Sequence, residues 1–195
     1  MKKKERSVNI PTIEEVENEQ KRLRHRAVYQ RTLRGTIAVL LVVAAISVLV
    51  ATLWMPVLQI YGSSMSPTLE AGQIVVSVKT NQLKTGEVVA FWQGNKLLVK
   101  RVIAGPGQWV DIDMDGNVTV DGKELTEDYL DVKALGNCDV ELPHQVEESR
   151  WFLMGDNRDV SVDSRSAAIG DVSKDQIEGK IVFRIWPLNK TGSIQ

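Results

Sequence analysis

"GTIAVLLVVAAISVLVATLW", Gly35 to Trp54, decides the architecture of this chain. The stretch carries no charge and almost no polar group. As an α-helix these residues would rise ~30 Å, the thickness of a bilayer's hydrocarbon core. Trp54 stands at the far end, where an indole suits the membrane interface, and Pro56 follows as a stop. A secretory signal peptide is the competing reading. Its apolar region is only ~7–15 residues long, and it rarely follows a long charged lead. Here 34 residues of charged chain precede the run, so an uncleaved span is expected.

Charge divides at the same place. Residues 1–34 carry ten Lys and Arg against five Glu, a net +5, and the remainder carries fourteen against twenty acids, a net −6. A basic head on an acidic body fits a chain divided by a phospholipid membrane, not a nucleic-acid binder. Lys21, Arg22, Arg24, Arg26, Arg31 and Arg34 are unopposed by acid. The positive-inside rule then predicts a cytoplasmic N-terminus and an external remainder. The head reads as a helix from about Thr12, where Thr12 and Glu15 make a capping box and acids give way to bases along the dipole. With 195 residues, enough chain remains after a span for one sizeable core. The single cysteine, Cys138, excludes an internal disulfide framework and any multi-cysteine zinc site.

Beyond Pro56 the pattern changes to strands. "QIVVSV", "EVVAFW" and "KIVFRIW" are β-branched and aromatic runs, the first two bounded by turn residues. "KLLVKRVIAG" follows a Gly-Asn turn, and "NVTVDGKEL" contains an Asp-Gly hairpin signal. Short strands separated by turns predict an all-β outer domain.

Several motifs resemble sites and read better as structure. Asp111, Asp113, Asp115 and Gly116 imitate the start of an EF-hand loop, but Gly122 stands where a bidentate Glu is needed. A hairpin tip is expected there, and the sequence points to no metal and no cofactor. Cys138 and His144 share "LGNCDVELPHQVEES", an acidic loop with nothing to lower a thiol pKa. Of two histidines, His25 lies across the membrane from every outer serine, so only His144 could complete a Ser-His-Asp triad, and nothing around it looks like a site.

A hydrolase without histidine needs another base, and a desolvated lysine can serve because burial disfavours the ammonium. Lys100 lies between "LLV" and "RVIA", apolar surroundings if the strand packs on a core; the alternative is a strand lysine pointing to solvent. "YGSSMSPTLE", Tyr61 to Glu70, offers hydroxyls seven residues past the apolar run, and likewise reads as either a turn or a nucleophile's loop.

Four ordered blocks separate these readings: "GSSMSPTL" at 62–69, "GEVVAF" at 86–91, "KRVIAGPG" at 100–107 and "GDNRDVSVDSR" at 155–165. Together, behind a membrane span, they resemble the bacterial type I signal peptidases, serine proteases that remove signal peptides from exported preproteins. The resemblance covers roughly Leu33 to Pro187. It implies Ser64 as nucleophile and Lys100 as general base, with Ser161 orienting the lysine and Asp163 and Arg165 bracing the last block. Gly155, Asp156, Asn157 and Arg158 open that block. Two departures stand out: Gly62 replaces a serine that helps hold the oxyanion in some members, and Gln108 follows Gly107 where Asp is common.

The expected fold is mainly β, with a single N-terminal transmembrane helix before an all-β extracytoplasmic catalytic domain. The expected layout is a cytoplasmic helical segment over 1–34, the transmembrane helix over 35–54, and the peptidase domain over 55–188. A small noncatalytic β-region is expected at about 108–150, and a polar tail at 189–195. The rival is an anchored, non-catalytic β-domain that binds exported chains.

Overall fold

The structure, a computed structural model, describes residues 12–194 except Asn81. The chain divides into two compact units at Val50/Ala51.

Helix α1 runs unbroken from Ile13 to Trp54. Its start is the expected capping box: Glu15 N donates to Thr12 Oγ1 (3.4 Å) and Thr12 N to Glu15 Oε2 (2.9 Å). Met55 N donates to Ala51 O, and Pro56 supplies no donor to carry the helix further. The apolar side chains from Ile37 to Leu53 are exposed all round the helix. Its most apolar window has mean hydropathy 2.8, which with its length is sufficient to cross a membrane.

The second unit is antiparallel β throughout its pairings. In chain order its strands are β1 (Val57–Gln59), β2 (Ile74–Val78), β3 (Val88–Gln93), β4 (Lys96–Ala104), β5 (Trp109–Ile112) and β6 (Val118–Val120). They continue as β7 (Lys123–Glu124), β8 (His144–Gln145), β9 (Arg150–Met154), β10 (Val172–Ser173), β11 (Ile177–Trp186) and β12 (Gly192–Ser193). The main sheet has the order β1-β2-β11-β3-β4-β9-β10 with β12 added to β11; the smaller sheet has the order β7-β6-β5-β8.

Alternation along the strands builds the core. In β3, Val88 and Ala90 join Ile60, Met65, Leu69, Val75 and Ile181, while Val89 and Phe91 join Val102, Trp151, Leu153 and Val172. In β9, Trp151 and Leu153 face that second cluster; Phe152 and Met154 pack with Ile103, Val110, Ile112 and Val118 of the region bearing the smaller sheet. Both faces of β9 are covered, which is why "RWFLM" lacks the alternation that marks a half-exposed strand. The segment expected as a polar tail continues the fold: β12 pairs with β11, and Ile194 packs against the first cluster.

The EF-hand imitation forms the β5–β6 connection. Asp113 Oδ1 accepts from Asp115 N (2.9 Å) and Asn117 N (2.8 Å), and Gly116 takes φ +83°. At the next turn Asp121 and Gly122 have φ of 52° and 76°, the geometry the Asp-Gly signal predicts. A Cβ at Gly116 would also run into the Ala134 backbone. Gly116→Ala should therefore lower unfolding stability by about 1–3 kcal/mol, from left-handed strain and displaced backbone together. Thermal unfolding of the detergent-purified chain measures this; an unchanged midpoint would mean that the hairpin tip and the 131–135 segment are not in contact.

Candidate active site

The loop after β1 places Ser64 by anchoring its neighbours. Met65 and Leu69 are buried, Leu69 N donates to Met65 O (2.8 Å), and Ser66 N donates to Ser63 O (3.1 Å). Ser64 itself is half-buried, and its carbonyl oxygen accepts from Asn157 N (3.0 Å). The loop is thereby tied to the segment that follows β9.

Lys100 comes from β4, hydrogen-bonded across β3 in the pair Val89–Lys100. It is only 3% exposed, so the solvent-facing alternative for this strand lysine does not hold. Its Nζ donates to Ser64 Oγ at 2.7 Å. Burial, opposed by Asp163, lowers the Lys100 pKa from 10.5 to about 8; Arg165 pushes it down further and Asp156 pushes it up. A large part of the amine is then unprotonated in mildly alkaline solution. When it is neutral, the same contact can run the other way, with the hydroxyl donating to the nitrogen lone pair.

The 155–165 segment is held by a buried ion pair. Asp163 and Arg165 meet in a fork, with Arg165 Nε 2.9 Å from Oδ1 and one Nη 2.8 Å from Oδ2, and both side chains have no exposed surface. Burial alone would raise the Asp163 pKa, but bonds from Arg165 and from Gly155 N (2.9 Å) hold it below the usual carboxylate range. Arg165 also donates to Leu135 O (2.6 Å) and Arg158 O (3.0 Å), so the brace spans three segments. Gly155 sits where nothing larger fits: a Cβ there would strike Ser161 Oγ and the Ser64 carbonyl oxygen.

Ser161 is brought into this group but not onto the lysine. Its Oγ is buried with no hydrogen-bond partner among the described residues, so the Lys100 bond implied by the resemblance is not formed in this structure. The hydroxyl lies near the Asp163 carboxylate, whose charged form it favours.

Sequence reading missed the partners of Arg101. Successive strand residues point to opposite faces. Arg101 therefore turns from Lys100 toward Asp156, forking it at 2.9 and 2.7 Å, and reaches Gly86 O (2.7 Å) and Thr68 Oγ1 (3.2 Å). Its guanidinium carbon also lies 3.8 Å from the Tyr129 ring centroid. Glu127 is buried against Arg158, a second pairing not anticipated. A second basic residue in a strand with apolar flanks was the available signal, since a buried guanidinium requires an acid.

His144 and Cys138 stand apart from these residues. His144 lies in β8, not in a loop, with Nε2 3.0 Å from Asp171 Oδ1 and its ring against Phe152. The half-buried Cys138 thiol has its pKa raised by burial.

Ser64 and Lys100 lie in a cleft of about 550 Å³, whose walls include Ile60, Met65, Leu97 and Val99. Its sides are strand edges. Among the described residues β1 pairs only with β2, and β4 pairs with β9 only from Arg101 onward, leaving Lys96–Val99 unpaired on that side. Gly62, with φ +83°, lines the cleft beside the Ser64 loop.

The arrangement is a hydroxyl, a desolvated amine and open backbone edges, and proteins with related sequences are signal peptidases. Signal peptidase IB of Staphylococcus aureus (strain COL) is 38% identical over 152 residues, covering 67% of this chain and 78% of that protein. Signal peptidase I of Bacillus licheniformis is 32% identical over 169 residues, covering 78% and 88%. A crystal structure of a signal peptidase I from Enterococcus faecalis is similar with TM-score 0.43 and 25% identity, over 52% of this chain and 98% of that one. The family described as signal peptidase, peptidase S26, matches residues 33–186. This chain belongs to that family.

Proposed function

We propose that the chain is a membrane-anchored serine endopeptidase that removes N-terminal signal peptides from exported preproteins, with Ser64 as nucleophile and Lys100 as general base. The observation that carries the reading is the 2.7 Å contact between Ser64 Oγ and a buried lysine amine. Neutral Lys100 takes the Ser64 proton as Oγ attacks the scissile carbonyl carbon. The resulting ammonium returns that proton to the leaving amine, and the C–N bond breaks to give an acyl-enzyme and the new N-terminus of the mature chain. Lys100, neutral again, then takes a proton from water as the water oxygen attacks the ester carbon. The C–Oγ bond breaks, the Lys100 ammonium returns that proton to Ser64 Oγ, and the signal peptide leaves with a carboxylic acid that ionises in solution. With glycine at position 62, the oxyanion relies on main-chain donors, the Ser64 N–H foremost.

The substrate lies extended along the cleft, adding main-chain hydrogen bonds to the open edges of β1 and β4. Small residues at −1 and −3 suit an apolar wall with little depth. Asp163, Arg165, Gly155 and Ser161 are supporting residues around the pair. Residues 1–34 are cytoplasmic, 35–54 span the membrane, and the β-domain is extracytoplasmic. Nine residues of chain, 55–63, then tether Ser64 near the membrane surface, where a signal peptide's cleavage site emerges.

Ser64→Ala and Lys100→Ala should each reduce preprotein cleavage at least ~10³-fold without loss of fold, since neither half of the pair works alone. Detergent-purified protein with a preprotein substrate tests this, and loss in His144→Ala with retention in Lys100→Ala would overturn the assignment.

A base that must be neutral sets the pH profile. For wild type, kcat/KM should rise with pH through an apparent pKa of about 8 and be lost below it. A limb near 10.5, the ordinary lysine value, would mean that the amine is solvated in the working enzyme.

External protease added to spheroplasts should digest the β-domain and spare residues 1–34. Protection of the β-domain while an external marker is degraded would reverse the orientation.

A further inference from the structure

The region carrying the smaller sheet was expected to be noncatalytic, yet two of its side chains reach the supports of the Ser64–Lys100 pair. We propose that Glu127 and Tyr129 are positioning residues for catalysis, holding Arg158 and Arg101 so that the 155–158 segment and β4 keep Ser64 and Lys100 in line. The proposal rests on the Ser/Lys reading above.

Glu127 supplies one arm. Its buried carboxylate accepts from both Arg158 Nη groups, and from the Tyr129 hydroxyl at 2.7 Å. Arg158 Nε donates to Gly155 O at 3.1 Å. Gly155 is the residue pressed against Ser161 Oγ and the Ser64 carbonyl, with its N–H on Asp163. A shift of Glu127 is thus passed through one guanidinium to the backbone touching the nucleophile.

Tyr129 supplies the other arm. Its ring lies against the Arg101 guanidinium, which forks Asp156 and reaches Thr68, four residues beyond Ser64 in the same loop. Arg101 directly follows Lys100, so fixing its side chain fixes the twist of β4 at the base. Burial, together with Glu127, raises the Tyr129 phenol pKa, so it remains a hydrogen-bond donor where Lys100 is neutral. Buried ion pairs of this kind add little stability over an apolar packing of equal volume. What they fix is orientation, and a misplacement of ~1 Å at a reacting pair costs up to ~10²-fold in rate.

The test uses the full chain in detergent with a preprotein substrate, and thermal unfolding to count folded enzyme. Wild-type cleavage and its absence in Ser64→Ala come first; failure of either removes the Ser/Lys reading and this proposal with it. Given both, Tyr129→Leu should lower kcat about tenfold or more while KM stays within about twofold. Its apparent pKa should also rise. The charges acting on Lys100 are Asp163, Arg165 and Asp156, and a loosened Arg101 leaves Asp156 less neutralised. Tyr129→Phe keeps the ring under Arg101 and should hold kcat within about threefold of wild type. Glu127→Asp keeps the charge but shortens the reach to Arg158, and should lower kcat about fivefold or more at unchanged KM. Wild-type kcat in both Tyr129→Leu and Glu127→Asp would overturn the proposal. So would losses that track the folded fraction with the pH profile unmoved. If Tyr129→Leu does not fold, the Glu127→Asp outcome decides.

Discussion

A lysine gives up its proton near neutral pH where water is kept from the ammonium or a like charge stands beside it, and at Lys100 burial is the larger of the two. Lys100 sits in β4, paired with Val89 of β3 and next to the Lys96–Val99 stretch that is open on its other side, where Val99 and Leu98 pack on two of the apolar clusters. Desolvation is the largest influence on its pKa, and the charges of Asp163, Arg165 and Asp156 act with mixed sign. Were either carboxylate present without its arginine, it would favour the ammonium and oppose the burial. Pairing Asp163 with Arg165 and Asp156 with Arg101 keeps the surroundings close to neutral while leaving the amine dry.

These pairs also explain how one site is assembled from distant pieces of chain. Ser64 belongs to the loop before β2, Lys100 to β4, and the braces to the segment after β9. Apolar packing alone would bring these segments together without fixing their register. The forked guanidinium–carboxylate contacts add direction, because both partners are planar and tolerate little rotation. The glycine at 155 removes the last obstacle, allowing the braced segment to approach the Ser64 carbonyl to within contact.

Much of this was legible in the sequence. The capping box at Thr12, the unbroken apolar run, the strands at 73–78, 87–92 and 96–105, and the Asp-Gly turn all depend on local chemistry and recur in the structure. Ser64 and Lys100 could be paired only through the resemblance, because nothing within either segment indicates the other. The strand at Arg150–Met154 was missed because both of its faces are covered, which erases the period of two. The smaller pieces β1, β8, β10 and β12 are set by tertiary pairing, with two or three residues each and no pattern of their own. Glu127 and Tyr129 escaped for a related reason. An acid and a phenol in a polar, irregular stretch look solvated until the arginines they contact are placed beside them.

The open edges of β1 and Lys96–Val99 carry a consequence for timing. Backbone groups on a strand edge can be satisfied only by a chain whose own donors and acceptors are uncommitted. A segment already folded into helix or sheet has none to offer, however well its side chains would suit the apolar walls. A cleft that binds as proposed above would distinguish partners by conformational state before it distinguishes them by residue type. Processing at such a site competes with folding of the segment around the scissile bond, and favours chains met while that segment is still extended.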